Sequence, residues 1–470
     1  MSKIPSAANI RGWLWPLCLL ALCLSGCGKQ VASHDEAVLA MEGTAGQLTP
    51  EEFGAMVEEG PVDDGWLRDF HDPILEKLVQ EALANNPGLN IAQARVEKAR
   101  GLTRLAGANL KPTVALGGGY RDVKHEGAGS ARGGGGAGLG VSWEADVWGR
   151  IRSGIAGVEE EEGATVADYQ FARQSLAAAV AQGWFRAISS KLLQGFADEV
   201  VTLQQQALKI TQAKYDIGQG TKRDIHLAKA AVAAAREASV KAGSGHENSL
   251  RSLELLLGRY PAADLKAADR LLAVPPPVPS GIPSEILERR PDLVAAEHQV
   301  AAAFYRQREA ELLHLPRFSF SFGVGLNTIN DAIAGLTAGI MAPLYTGGAI
   351  EGQVETATAA QQEAIALYAQ AALNAFEEVE RALAAEGDLL RQEEYLHSEV
   401  EENQQAYKES RQQYEIGQID YLDVLAVQNL WISSRIAAVN IGAQRLINRV
   451  QLHLALGGSF AEPAGAVEGP

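Results

Sequence analysis

The feature that most constrains the fold is an internal repeat of about 200 residues. The stretch KYDIGQGTKRD, which ends at Asp224, recurs 199 positions later as QYEIGQIDYLD, which ends at Asp423. A second pair relates NNPGLNIAQARVEKA, from Asn85, to RRPDLVAAEHQVAAA, from Arg289, at an offset of 204. Two echoes in the same order indicate a tandem duplication. We therefore expect one body built from two similar halves rather than several unrelated domains.

The N-terminal segment carries an export signal. Lys3 and Arg11 precede a short apolar run, which leads into the sequence LSGC ending at Cys27. Such a segment is typical of a signal peptide rather than of a transmembrane helix. The last four residues match a bacterial lipobox, so we expect Cys27 to become the lipidated first residue of the mature chain. Gly28, rather than an aspartate, follows the cysteine, which by analogy with known lipoproteins favours the outer membrane over retention at the inner one. An ordinary signal peptide with an incidental cysteine is the alternative.

Composition excludes several classes of function. The 58 acidic residues outnumber the 41 Lys and Arg, which argues against a nucleic-acid partner. All three cysteines lie in the first 27 residues, so neither disulfides nor a cysteine metal site is expected in the mature chain. The nine histidines form no pair at ligand spacing, and no P-loop, HExxH or nucleophile elbow occurs. We expect no catalytic residue, no metal and no cofactor other than a covalent lipid on Cys27.

Two segments in each half alternate with a period of two, as strands do. The run FSFSFG from Phe318 places phenylalanine on one face and small or polar residues on the other, and the run LGVSW from Leu139 does the same. The expected partner strands are Thr113–Tyr120 and Leu336–Tyr345. The glycine run 133–136 is predicted to be the loop of the first pair. It matches GxGxxG, but the strand that follows argues against a dinucleotide site.

Long helices follow each pair of strands. No proline interrupts either segment, so helices on the order of 100 Å are expected at ~1.5 Å per residue. Gly218 and Gly417 can take the left-handed conformation that ends a helix, which predicts two helical hairpins with those glycines at their tips. Gly149 and Gly347–Gly348 are expected to be bends between strand and helix. The predicted helices of the two hairpins are 149–215, 222–257, 348–414 and 421–456.

These elements predict the organisation of the whole chain. It comprises a signal peptide (1–27), a tether with an equatorial segment (28–74), repeat 1 (75–270) with its tip at 215–224, a proline-rich linker (271–283), repeat 2 (284–460) with its tip at 414–423, and a tail (461–470).

Four amphipathic strands predict a membrane-spanning barrel that one chain cannot close. Each strand has about ten residues and one apolar face, which suits a barrel wall in lipid. An open sheet edge in a membrane leaves backbone groups without partners, and the smallest barrels have about eight strands. Two copies would give a barrel filled by side chains, whereas three copies would leave room for a lumen. The chain must therefore oligomerise.

Several motifs together resemble the TolC-type outer-membrane factors, in particular the lipidated branch of efflux pumps. The resemblance covers nearly the whole chain. It implies a mainly α fold with a transmembrane β-barrel, in which a homotrimer forms a twelve-stranded barrel continued by a long α-helical periplasmic barrel. The motifs are LSGC, Trp66 with Phe70, Asp72-Pro73, WEADVWGR from Trp143, LERRPDLVAAE from Leu287, PLYTGG from Pro343 and YEIGQIDYLDVL from Tyr414.

The resemblance also implies a location, partners and a function. The chain would lie in the bacterial outer membrane, in contact with outer-membrane lipid, and would dock onto a periplasmic adaptor protein that serves an inner-membrane transporter of the RND type. Its function would be the exit duct of an efflux system for small molecules such as drugs or metal ions. A channel for type I protein secretion has the same fold and remains an alternative. A periplasmic coiled-coil adaptor is a weaker one, because it should lack paired membrane strands.

The resemblance assigns roles to the hairpin tips. Gly218, Gly417, Tyr215 and Tyr414 are the predicted adaptor-docking residues. Turn chemistry alone is the competing interpretation, because glycine and aspartate are common in helical hairpins.

The second tip is the predicted periplasmic gate. Asp423, Tyr414 and Asp224 are its candidate residues, with three copies of Asp423 around the threefold axis attracting cations. The sequence departs from the family at Ala426, where many relatives carry a second aspartate, and also at Asn429 and Ile419. We therefore expect one acidic ring rather than two.

Overall fold

A computed structural model describes residues 64–123, 132–279, 283–327 and 332–460, with residues 37, 39, 40, 43, 49, 50, 53 and 54. Cys27, the signal peptide and the tail 461–470 lie outside these residues. Two short 3₁₀ helices occur at Trp66–Phe70 and Leu312–His314. The helices and strands are α1 (Pro73–Asn85), α2 (Pro87–Ala108), β1 (Thr113–Val123), β2 (Arg132–Ala145), α3 (Arg150–Asp216), α4 (Lys222–Leu256), α5 (Pro283–Arg289), α6 (Pro291–Glu311), β3 (Arg317–Asn327), β4 (Ala332–Met341), α7 (Ala349–Glu415) and α8 (Tyr421–Ala455).

The chain divides into two compact units, and one of them, with residues 99–162 and 298–366, holds the sheet. The four strands are antiparallel in the order β1-β2-β3-β4, so β1 and β4 are its edges. In its register Val141 lies opposite Val114 and Phe322, while Ser142 lies opposite Thr113 and Ser321. One face is therefore apolar and the other small or polar, as the alternation predicted.

Several predicted strand limits are wrong. The glycine run 133–136 does not form the loop, because it belongs to β2 and pairs with Gly119–Asp122 of β1. Glycine lacks a Cβ and pairs here without crowding the sheet. The predicted strand Leu336–Tyr345 is observed at Ala332–Met341, so it begins earlier and ends earlier than predicted. Pro343 has no N–H to donate, which prevents the ladder from continuing.

The helical unit has residues 44–98, 163–297 and 367–470. The first helices of the two hairpins, α3 and α7, each have 67 residues, and the return helices α4 and α8 each have 35. Their limits lie within a residue or two of the predicted ones. Because the lengths are equal, the 199-residue offset holds without interruption through both hairpins. A residue in α3 or α4 can therefore be compared directly with the residue 199 positions later.

The hairpins are anchored by a core that includes the N-terminal segment. Trp66 and Phe70 are buried in the largest hydrophobic cluster, which also contains Trp184 and Phe185 of α3. Asp72 caps α1 by accepting hydrogen bonds from the backbone N–H groups of its first turn. Its other carboxylate oxygen accepts a bond of 2.8 Å from Nε1 of Trp184. This carboxylate thus ties the N-terminal segment to the first hairpin.

Candidate functional site

The two hairpin tips have the same backbone geometry. Gly218 and Gly417 have φ of 77° and 83°, in the left-handed region. In each tip the N–H of the next residue bonds to the carbonyl five positions back, at 2.8 Å for Gln219 and 2.9 Å for Gln418. This is a Schellman motif, which satisfies the last carbonyls of a helix. A Cβ on either glycine would meet no atom within 4 Å, so the space in front of both tips is open.

An exposed isoleucine precedes each tip glycine. Ile217 is 69% exposed and Ile416 is 70% exposed. Our sequence reasoning passed over them, although both echoes contain isoleucine at this position. Both side chains are therefore largely outside the core and stand beside the tip glycines.

Both predicted gate aspartates cap helices. Asp224 Oδ2 accepts bonds from the Thr221 hydroxyl at 2.7 Å and the Thr221 backbone N–H at 3.1 Å, which completes a capping box at the start of α4. Asp423 Oδ2 accepts from the backbone N–H of Asp420 at 3.2 Å at the start of α8. The recurrence of aspartate six residues after each glycine therefore has a local structural cause.

The two tip tyrosines differ. Tyr414 is buried, and its hydroxyl donates to Oγ1 of Thr211 on α3 at 3.2 Å. The buried Lys214 Nζ donates to the backbone carbonyl of Tyr414 and lies 4.5 Å from the centre of its ring. Burial raises the pKa of Tyr414, against the smaller effect of the Thr211 hydrogen bond. Tyr215, the matching residue of the first tip, is only half-buried.

A chain of buried polar and aromatic groups continues from this tip between the two hairpins. Gln204 on α3 donates to Gln428 on α8 at 2.8 Å, and Gln428 donates to the Tyr407 hydroxyl at 3.2 Å. The rings of Tyr421 and Tyr414 pack at a tilt with their centres 5.5 Å apart, and burial raises the pKa of Tyr421 to about 12. The sequence alone did not single out Gln204 or Gln428, because isolated glutamines on a long helix look like surface positions.

The sheet presents a membrane-type surface. Leu116 on β1 and Leu336 on β4 are 81% and 78% exposed on the apolar face. At one end of the sheet the rings of Trp143 and Phe320 stack with their centres 5.8 Å apart, and the ring centres of Trp148 and Phe318 are 6.4 Å apart. Aromatic residues at the end of an apolar strand band are typical of barrels at the membrane interface.

Comparisons with known proteins give the family. The model of the outer membrane efflux protein family matches residues 78–259 and 282–458. The chain belongs to this family. It is 29% identical over 429 residues to the toluene efflux pump outer membrane protein TtgC of Pseudomonas putida, covering 86% of this chain and 87% of that one. It is 27% identical to the cation efflux system protein CusC of Escherichia coli K12, covering 95% and 99%.

A solved structure shows the same architecture. The outer-membrane channel OprN superimposes with a TM-score of 0.80 at 25% identity, covering 88% of this chain and 98% of that one. The predicted TolC-type family, its fold class, the outer-membrane location and the function of an efflux channel are confirmed. Because the family consists of channel proteins, the chain is not an enzyme. The roles of Asp423, Asp224, Gly218, Gly417 and the tip tyrosines stay predictions.

Proposed function

We propose that three copies of this chain form the exit duct of a tripartite efflux system. The observation that carries this proposal is the four-stranded sheet with two open edges, β1 and β4, and one apolar face. Inside a membrane no water can hydrogen-bond to the backbone groups of a sheet edge. We therefore expect β4 of one copy to pair with β1 of the next. Three copies give twelve strands, enough for a lumen.

The small residues of the other face suit a lumen. Gly138, Gly140 and Ser142 on β2 alternate with the apolar residues and lie opposite Gly325, Gly323 and Ser321 on β3. Short side chains leave the lumen wide and bind no particular substrate. The relatives are named for efflux of toluene in one case and of cations in another, which suits a duct without a dedicated pocket. Small molecules supplied by the transporter are the proposed cargo.

The tips are the proposed docking surface for the periplasmic adaptor of an RND transporter. Each copy would present Ile217 and Ile416 beside glycines with open space in front. We expect Ile217→Glu together with Ile416→Glu to abolish adaptor cross-linking and efflux while trimers persist, because neither side chain packs in the core. The conservative double change to leucine is the matched control. Full efflux in the glutamate variant would contradict docking through these side chains.

The anchor and the stoichiometry are tested together. The mature chain should carry a lipid on Cys27, and native mass measurement after gentle detergent extraction of outer membranes should give three chains. Cys27→Ser should remove the lipid mass but keep the trimer, because the barrel holds the chain in the membrane. A stable soluble monomer would overturn the proposal of a trimeric duct.

A further inference from the structure

One contact between the two hairpins of a chain has a counterpart that a single chain cannot complete. The guanidinium of Arg435 on α8 lies 4.3 Å from the ring centre of Phe196 on α3. Phe196 also meets Trp431 edge-on, with ring centres 5.6 Å apart. An ion pair of 3.1 Å joins Arg435 to Glu199 on α3. The contact therefore pairs the first helix of one hairpin with the return helix of the other.

The repeat gives each of these residues a mate 199 positions away. Phe196 corresponds to Tyr395 on α7, and Arg435 corresponds to Arg236 on α4. Tyr395 is 74% exposed, and Arg236 is exposed as well. Both mates keep the chemistry of a cation on an aromatic ring, yet each lies on the surface of the monomer.

Charges along the two surfaces are complementary. Lys222 and Lys229 hold the α4 positions of Tyr421 and Gln428, which are buried in the α8 contact. All three basic residues of this α4 face, Lys222, Lys229 and Arg236, are exposed.

The matching face of α7 is acidic. Glu399 and Glu402 hold the positions of Val200 and Leu203, which pack between the hairpins in the observed contact. Both glutamates are exposed. A basic strip on one helix and an acidic strip on another, at repeat-related positions, fit each other rather than an unrelated partner.

We propose that Tyr395 of one copy packs beneath Arg236 of the next, so that α7 and the neighbour's α4 repeat the contact of α3 and α8. This inference rests on the proposed ring of copies, because only a second copy carries the repeat-related α4 surface in the required arrangement. The seam within a chain, which is the contact of α3 with α8, is aromatic and buried and has one ion pair. The seam between chains, which is the contact of α7 with the neighbour's α4, is dominated by charge. Salt weakens interactions between exposed charges, so the seam between chains is the salt-sensitive one.

The test is chemical cross-linking in detergent-solubilised trimers. Arg236→Cys with Tyr395→Cys is treated with a short bismaleimide. The matched control, Arg435→Cys with Phe196→Cys, lies at the observed contact and calibrates the reach of the reagent. We expect covalent dimers and trimers from the first pair and only intrachain product from the control. Each single-cysteine variant tests for reaction through Cys27.

The outcomes separate this proposal from the proposed duct. If native mass measurement gives trimers, but the Arg236/Tyr395 pair yields no interchain product while the control pair reacts, the seam lies elsewhere and the inference is overturned. If the chain is monomeric before cross-linking, the duct itself is wrong. A second experiment uses charge reversal: Arg236→Glu should make amide hydrogen exchange around Tyr395 severalfold faster in the intact trimer, because the helical contact opens locally while the barrel holds the copies together, whereas Arg236→Lys should keep the wild-type rate. Equal exchange rates around Tyr395 in Arg236→Glu and wild type would also contradict the seam.

Discussion

The two repeats share a backbone geometry, but different side chains stabilise the ends of their return helices α4 and α8. Near the end of α4, the buried Glu254 accepts hydrogen bonds from the backbone N–H groups of Ala263, Asp264 and Leu265, at 2.7, 2.7 and 3.0 Å. Its mate near the end of α8 is His453, which is also buried but stacks on Trp66 with ring centres 5.7 Å apart. Neither ring nitrogen of His453 has a hydrogen-bond partner among the described residues.

The difference follows from what each return helix leads into. The first return helix, α4, leads towards the linker, and the Glu254 carboxylate fixes the backbone of that segment through its hydrogen bonds. The second leads into residues 456–460, where the N-terminal segment covers the site instead: the Gly65 N–H donates to the Ser459 carbonyl at 2.7 Å. After a duplication, each copy therefore adapted to its own neighbouring segment, while the hairpin geometry stayed the same.

Replacing the anchoring residue should have the largest effect. Glu254→Leu leaves three part-buried backbone N–H groups without their acceptor, at about 1 kcal/mol each, the low end of the range for an orphaned donor. We expect the free energy of unfolding of the helical unit to fall by roughly 2–3 kcal/mol, read as a lower melting temperature of the purified trimer. The repeat-matched change His453→Leu removes no hydrogen bond and should be close to neutral. Equal losses in both variants would mean that the comparison of the two anchors is wrong.

The second test uses pH. Burial, and then the charge of Arg449, lowers the pKa of His453 to about 3. In the unfolded chain a histidine takes up its proton near pH 6.5, so the unfolded state binds more protons below that pH. Stability is therefore fully present above pH 6.5 and falls as pH decreases, by about 2 kcal/mol at pH 5.

His453→Phe keeps the aromatic stack and should remove this part of the pH dependence. The measurement is the change in melting temperature between pH 7 and pH 5. His397→Phe, at an exposed position of α7, is the control and should keep the wild-type slope. A His453→Phe variant with the full wild-type slope would show that other groups cause the acid sensitivity.

The sequence predicts the fold well because its signals are local and repeated. Proline-free runs, glycines at helix ends and period-two alternation each depend on a few neighbouring residues, and the duplication states each signal twice. The errors occur where local signals are ambiguous. A glycine run serves equally in a loop or on the crowded face of a strand, which is why 133–136 was misplaced.

The candidate site was harder to predict because its contacts join distant parts of the chain. The position of Tyr414 against Thr211 and Lys214 depends on how the second hairpin packs on the first. No pattern within one helix reports such a contact. The aspartates show the opposite case: their recurrence was visible in the sequence, but the capping bonds that explain it appear only in the structure.

The third test concerns the tips, where Lys214 of the first repeat corresponds to Gln413 of the second. Lys214→Gln removes a buried ammonium from the ring and carbonyl of Tyr414, at about 1–2 kcal/mol. We expect amide hydrogen exchange around Tyr414 to become roughly tenfold faster, because local opening costs less. Gln413→Lys, which leaves the Tyr414 contact intact, should not change exchange there. Unchanged exchange in Lys214→Gln would mean that this lysine does not hold the tips together.

The smallest expected effect on stability separates capping from gating at the two aspartates. Asp224→Asn and Asp423→Asn each weaken a helix cap, at about 0.5–1 kcal/mol, and should destabilise the trimer equally. Their charges are placed differently. Asp224 is half-buried and lies 3.7 Å from the guanidinium of Arg223, whereas the Asp423 side chain is exposed. The guanidinium of Arg223 offsets part of the negative charge of Asp224.

Three exposed carboxylates of Asp423 around the threefold axis would attract cations into a narrow pore. Because Ala426 leaves no second acidic residue one turn further along α8, Asp423→Asn should remove most of the cation selectivity in planar-bilayer recordings, while Asp224→Asn should keep it. If both variants keep the wild-type selectivity, these aspartates are caps only, and Asp420 or Glu415 becomes the next residue to test. If both lose it equally, the ring does not lie at the second tip alone, and the two hairpins contribute to the gate as equals.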